Sequence, residues 1–155
     1  MQRYHVRLYR LVARHAAPSG LDVDDIVQTV WMTVWQRGGR LRANQRFAPW
    51  LFRVAINRCR SHSRRLSLWQ RFIAFAPRGS ELTTVPADHR LIQRDWLDQA
   101  LSRLSRSDRE ILILRYDAAM ESEQIAQTLQ LSVDAVDQRL HRARNRLKTY
   151  LEPDA

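Results

Sequence analysis

The sequence predicts an all-α protein built of two small helical domains joined by a flexible linker. Three observations carry this reading. Apolar residues recur at spacings of three and four on both sides of the chain's midpoint, the period of amphipathic helices. Only 4 glycines and 5 prolines occur in 155 residues, so helix breakers are scarce. Several of them gather in one place: Pro77, Gly79 and Pro86, with Ser80, Thr83 and Thr84, fall between Leu66 and His89, and no helical period is sustained after Ala76. That stretch reads as a connection, its first part made apolar by Trp69, Phe72, Ile73 and Phe75. The expected divisions are 1–66, 67–94 and 95–152.

In the N-terminal part, Tyr4–Ala16 is expected to be helical, with Val6, Leu8, Tyr9, Leu11 and Val12 as its apolar positions. Asp22–Gln36 forms a second helix on Ile26, Val27, Val30, Trp31, Val34 and Trp35. Asp22, Asp24 and Asp25 open it, where carboxylates suit the positive end of the helix dipole, and Gly38-Gly39 stops it. A third helix starts after Pro49 and runs to about Arg65.

That third helix has two faces at 100° per residue. Leu51, Val54, Ala55 and Cys59 form the apolar side. Arg53, Asn57, Arg60 and Arg64 lie opposite, at i, i+4, i+7 and i+11. Charged helix faces are usually just solvated, and those usually mix signs; here no acid occurs between Asp25 and Glu81. Three guanidiniums and an amide in a row suit a phosphate backbone or splayed bases.

The charge balance points the same way. The net charge is +10, and Lys148 is the sole lysine among 26 basic residues. Residues 1–65 carry a net +10, 66–95 a net +1 and 96–155 a net −1, so the N-terminal part holds the whole excess. A polyanionic partner is expected, and the planar arginine fork grips phosphate or guanine with two hydrogen bonds. A GC-rich genome accounts for much of the Arg/Lys ratio but not for the net excess. In the C-terminal part acids crowd between Asp98 and Glu123, and bases between Arg139 and Lys148.

The C-terminal pattern is that of a helix-turn-helix. Ser107-Asp-Arg-Glu110 reads as a capping box for a helix containing Ile111, Leu112 and Leu114. Ser122 is expected to cap a short helix through Ile125, Ala126 and Leu129; Gln130-Leu131 turns the chain, and Ser132 caps a last helix to about Tyr150. A short helix, a tight turn and a longer capped helix form this motif. The last helix is buried along Val136, Leu140, Ala143 and Leu147, and its opposite face carries Asp134, Gln138, His141, Arg142 and Asn145, side chains suited to base edges. Tri-helical bundles that bind no DNA produce similar spacings; the basic end of the last helix favours the DNA-binding reading.

Some classes are excluded or disfavoured. No apolar run approaches the roughly 20 residues of a membrane span. The polar start Met1-Gln2-Arg3-Tyr4-His5 lacks a signal-peptide core, so the cytoplasm is the expected compartment. Cys59, the single cysteine, allows no internal disulfide and no multi-thiolate zinc site, and on its apolar face it is a core residue rather than a nucleophile. No metal, cofactor or catalytic residue is expected. The one close set of carboxylates, Asp22, Asp24 and Asp25, sits at a helix start and not around a metal.

The stretch Asp22-Val-Asp-Asp-Ile-Val-Gln-Thr-Val-Trp with Val34-Trp35, followed by Phe47-Ala-Pro-Trp-Leu-Phe-Arg-Val-Ala-Ile-Asn-Arg-Cys59, resembles region 2 of the extracytoplasmic-function sigma factors of bacterial RNA polymerase. Leu101-Ser-Arg-Leu104, Asp108-Arg-Glu-Ile-Leu, Leu114-Arg-Tyr116, Ile125-Ala, Leu131-Ser-Val and Arg139-Leu-His-Arg-Ala-Arg-Asn-Arg-Leu147 resemble region 4. The resemblance covers nearly the whole chain in the family's order. It implies that Asp25, Gln28, Thr29 and Met32 meet core polymerase. It implies that the 40–47 loop, with Asn44 and Arg46, and the Arg53, Asn57, Arg60 and Arg64 row melt and read the −10 promoter element. It implies that Ser132, Gln138, Arg139, His141, Arg142, Arg144 and Arg146 meet the −35 element. Thr29 stands where the family usually has an acid, and Asp137 where a base is common. Core RNA polymerase, promoter DNA and an anti-sigma factor are the implied partners. A helix-turn-helix regulator acting without core polymerase is the alternative; it would need a ligand pocket, which an N-terminal part with net +10 is poorly suited to form.

Overall fold

The computed structural model describes residues 2–16, 20–38, 47–75 and 95–152. Among these it contains α1 (Gln2–Ala16), α2 (Val23–Arg37), α3 (Phe47–Phe75), α4 (Asp95–Arg103), α5 (Arg106–Tyr116), α6 (Ser122–Leu129) and α7 (Val133–Leu151). The all-α expectation holds, and the differences lie in where helices start and stop.

Asp22 caps α2, its side chain accepting from the Asp25 amide at 3.1 Å. Pro49 falls in the first turn of α3, where a missing N–H costs nothing. Helix α3 runs ten residues past the expected end at Arg65, because 61–75 contain no glycine or proline and the backbone ladder continues. The expected connection therefore begins as helix; its remainder, 76–94, lies outside the described residues. Helix α4 was not anticipated, although Leu97, Ala100, Leu101 and Leu104 carry a helical spacing.

The caps of the C-terminal helices also shift. Ser105, not Ser107, caps α5, accepting from the Asp108 amide at 3.1 Å. The helix thus starts earlier, and Glu110 is free of any capping role. Glu121, not Ser122, is the first residue of the α6 cap, with its amide donating to Gln124 Oε1 at 3.2 Å. The turn and the next cap fall as expected. Gln130 adopts a left-handed φ of 58°, and Ser132 Oγ accepts from the Ala135 amide at 3.2 Å.

Helices α1–α3 bury Leu8, Leu11, Val12, Ile26, Val30, Leu51, Phe52 and Ala55, while α4–α7 bury Leu101, Leu104, Ile111, Leu114, Ile125, Val136, Leu140 and Ala143. The two sets belong to one continuous core, with α1 packed on α5 and α3 on α6. The expected stripe on α2 needs one correction. Trp35 is 82% exposed, because Val34 already closes the core at that end. Trp31 is half-buried, its indole Nε1 donating to His5 Nδ1 at 3.2 Å. On α3, Phe52 and Ile56 are buried while Val54 is only partly so.

Cys59 is fully buried; burial, with the charge of Glu110 adding, pushes its thiol up to about 12. A neutral buried thiol does not attack an alkylating reagent. Iodoacetamide at neutral pH is expected to leave native Cys59 unmodified and to label it fully in denaturant; stoichiometric labelling of native protein by mass spectrometry would contradict this burial.

Candidate nucleic-acid interface

The row on α3 is present but not uniformly free. Asn57 and Arg64 are exposed. Arg53 and Arg60 are partly buried against the C-terminal helices, which corrects the expectation of a wholly solvent-facing row. Arg53 Nε donates to the Thr128 carbonyl at 3.0 Å and its Nη2 to the Gln127 carbonyl, both at the negative C-terminal end of α6. Arg60 Nε donates to Glu110 Oε1 at 2.9 Å and Nη2 to Oε2, a two-pronged carboxylate grip.

Glu110 is 1% exposed, and His15, 3% exposed, stands on its other side with Nε2 3.1 Å from Oε1. Burial works against ionisation of Glu110. Hydrogen bonds from His15 and Arg60, together with their charges, outweigh it and hold the carboxyl at about 2, below its usual range. Two further arginines cross the same boundary. Arg7 Nε donates to the Ala118 carbonyl at 2.6 Å just beyond α5, and Arg14 Nη1 donates to Asp98 at 2.6 Å with Nε 3.4 Å from Asp117. A cavity of about 500 Å³ beside Arg14, lined also by Tyr9, Arg10, Leu21, Asp98 and Asp117, has its central charges already paired.

Helix α7 presents a face that packing does not use. Gln138, His141, Arg142, Arg144 and Asn145 are exposed, and Arg139 is half-buried at the edge of the buried stripe. Ser132 is exposed and spends its hydroxyl oxygen on the cap. Asp137 accepts from Ser122 Oγ at 2.6 Å, and Arg146 donates to Asp108 at 2.5 Å, so α7 is tied to α6 and α5. Arg146 therefore braces the motif as well as facing outward.

On α2, Asp25, Gln28 and Met32 are exposed and Thr29 is half-buried. The structure adds Trp35 to this face, at the spacing 25, 28, 32, 35. Sequence reasoning placed Trp35 in the core because apolar type was its only signal. It also missed Arg7, Arg14, His15 and Glu110, whose partners lie in the other half of the chain. Asn44 and Arg46 lie outside the described residues. Among the described residues no group of three or more His, Cys, Asp or Glu is placed to hold a metal ion, and no helix is long and apolar enough to cross a membrane.

Comparison with known proteins decides the family. Residues 1–68 match the Sigma-70 region 2 family and residues 94–147 match Sigma-70, region 4. The RNA polymerase sigma factor NccH of Alcaligenes xylosoxydans xylosoxydans is 33% identical, over 96% of this chain and 83% of NccH. The chain belongs to the RNA polymerase sigma factors. The sigma factor CnrH of Cupriavidus metallidurans is 30% identical over 94% of this chain and 87% of its own. A solved structure of CnrH in complex with the cytosolic domain of CnrY superposes with a TM-score of 0.70 at 26% identity, covering 99% of this sigma factor and 86% of that chain. The sigma factor RpoE of Bartonella quintana, solved with the anti-sigma factor NepR, shares the fold at a TM-score of 0.74 and 24% identity over 99% and 97% of the two chains. This sigma factor is of the extracytoplasmic-function type, with regions 2 and 4 in that order.

Glu110 also sets an acid dependence. Its folded value of about 2 lies below the ordinary carboxyl value of 4.5, so its contribution to stability is complete above 4.5 and is lost as the pH falls towards 2. The urea midpoint of the parent is expected to fall more steeply than that of Glu110→Gln between those two values. Parallel curves would show that the ion pair is not formed in solution.

Proposed function

We infer that this sigma factor engages core RNA polymerase through the exposed face of α2 and reads promoter DNA with two separate surfaces: the α3 row at the −10 element and the outer face of α7 at the −35 element. The observation that carries this reading is the α7 face. Gln138, His141 and Arg142 project from a helix whose other side is fixed by Val136, Leu140 and Ala143, and they make no packing contribution. Arginine forks onto guanine and glutamine onto adenine, at about 1–3 kcal/mol of discrimination for a good pair. Arg144 and Lys148 hold phosphates, which position the helix without reading sequence. The α2 face combines Asp25 and Gln28 with the exposed apolar Met32 and Trp35, a mixture that marks a protein interface rather than a DNA one. The protein acts as a non-catalytic factor in the cytoplasm, and an anti-sigma factor is its regulator, as NepR is a partner of RpoE.

Run-off transcription with purified core polymerase and a promoter library tests this. The pair is expected to give promoter-specific transcripts, and the protein without core is expected to select no duplex site. Selective duplex binding by the protein alone would favour an independent regulator instead. Asp25→Arg should abolish co-purification with core while the circular dichroism stays helical; retained binding would remove α2 from the interface. Arg142→Ala should change which −35 sequences are preferred, whereas Lys148→Ala should weaken all of them about equally; an unchanged preference profile for Arg142→Ala would show that α7 does not read bases through it.

A further inference from the structure

The outer face of α7 carries one polar contact that packing does not require. Asn145 Nδ2 lies 3.1 Å from His141 Nε2, one turn away on the same helix, and both side chains are exposed. Neither belongs to the buried stripe of Val136, Leu140 and Ala143. The chemistry of the two atoms fixes the direction of the bond. An amide nitrogen carries two hydrogens and no free lone pair, so it can only donate. His141 Nε2 must therefore accept, and the single proton of the ring sits on Nδ1. An imidazolium, with a hydrogen on both nitrogens, does not fit this arrangement. Asn145 thus settles three properties of its neighbour: the ring is neutral, it is the Nδ1–H tautomer, and its Nε2 edge is turned toward Asn145.

The Nδ1–H donor is left over. Among the described residues His141 makes no second side-chain hydrogen bond, and Asp137, one turn before it, is spent on Ser122 Oγ at 2.6 Å. Base edges distinguish a donor from an acceptor. In the major groove guanine shows N7 and O6 and thymine shows O4, all acceptors, whereas cytosine shows only its N4 amino group, a donor. A ring with its proton on Nδ1 pairs with guanine or thymine. The other tautomer has a bare Nδ1 and invites cytosine instead. One histidine can therefore give opposite answers, and the hydrogen bond made by the other ring nitrogen chooses between them.

We propose that Asn145 is a positioning residue for promoter reading: by donating to His141 Nε2 it holds the imidazole as the neutral Nδ1–H tautomer, so that His141 selects guanine or thymine against cytosine at one position of the −35 element. This rests on the assignment of the α7 face to that element. A neutral donor suits a helix already rich in arginine. Arg144 and Lys148 supply an attraction to phosphate that is indifferent to sequence, and an uncharged ring adds discrimination without adding to that attraction. Asn145 stands three positions beyond Arg142, away from the N-terminal end of the helix from which base edges are reached, so its part is to orient rather than to touch.

Two measurements on the intact protein test this. Nitrogen-15 spectra of the full-length chain in mildly alkaline buffer locate the imidazole protons, and His141→Ala identifies the His141 signal among the 5 histidines. The parent is expected to carry the His141 proton on Nδ1. Asn145→Leu, which keeps the volume but cannot donate, should move part of that population to Nε2. Thr149→Ala removes another polar group of the same helix, a hydroxyl that donates to the Asn145 carbonyl at 3.0 Å, and should leave the signal in place. A parent proton on Nε2, or an unmoved signal in Asn145→Leu, would overturn the positioning. The second measurement is transcription from a library of −35 variants by holoenzymes assembled with each variant. The parent should favour guanine or thymine over cytosine at one position, and His141→Ala should lose that preference. Asn145→Leu should weaken it about five-fold, the weight of one hydrogen bond, and the double variant should be no worse than His141→Ala alone. A profile for Asn145→Leu that matches the parent, or a loss that adds to that of His141→Ala, would overturn the role in reading. If neither His141→Ala nor Arg142→Ala alters any −35 preference, the assignment of α7 to that element has itself failed, and the proposal falls with it.

Discussion

One buried carboxylate organises the junction of this molecule. Glu110 sits on a core helix between Ile111 and the N-terminal half, with about a hundredth of its surface in water. A charge in that position is costly unless paired, and removing a single partner of such a pair typically costs about 3–5 kcal/mol. It is satisfied only because α1 brings His15 to one side and α3 brings Arg60 to the other. The exposed pairs Arg115–Glu121 and Lys148–Glu152 are of a different kind, worth about 0–1 kcal/mol each. The placement of α1 and α3 on the C-terminal helices follows from the buried cluster and from the shared apolar core, not from surface charge.

The same junction gives the charge distribution a second meaning. The N-terminal excess of arginine and the acids between Asp98 and Glu123 are complementary within the chain. Arg14 takes Asp98 and Asp117, Arg60 takes Glu110, and Arg7 and Arg53 take carbonyls at or beyond helix ends. Arginine suits these acceptors because its planar fork addresses a carboxylate or a pair of carbonyls with two hydrogen bonds.

The helix-turn-helix is held differently. Its brace is local: Ser122 to Asp137, Arg146 to Asp108, and a left-handed Gln130 that sets the angle between α6 and α7. Asp137, where the family commonly has a base, is spent on this contact. The outward face of α7 is set within the C-terminal helices, since the groups that position it lie in α4, α5 and α6.

Sequence alone determined the local features. The 3.6-residue period picked out six of the seven helices of the described residues, the Asp22 and Ser132 caps set where two of them begin, and the outward face of α7 followed from its buried stripe, because each depends on residues within a few positions of one another. Family resemblance supplied the roles proposed for those faces. Sequence could not separate Ser105 from Ser107 as a cap, since both offer a hydroxyl three residues before a helical amide, and it placed Trp35 inside because periodicity does not say where the core ends. The pairing of His15, Arg60 and Glu110 was out of its reach altogether: their side chains meet across 95 and 50 residues of chain. A single sequence read through helical period holds no term linking residues so far apart, and only the packing of α1 and α3 against α5 turned a row of arginines into a surface half covered by its own chain.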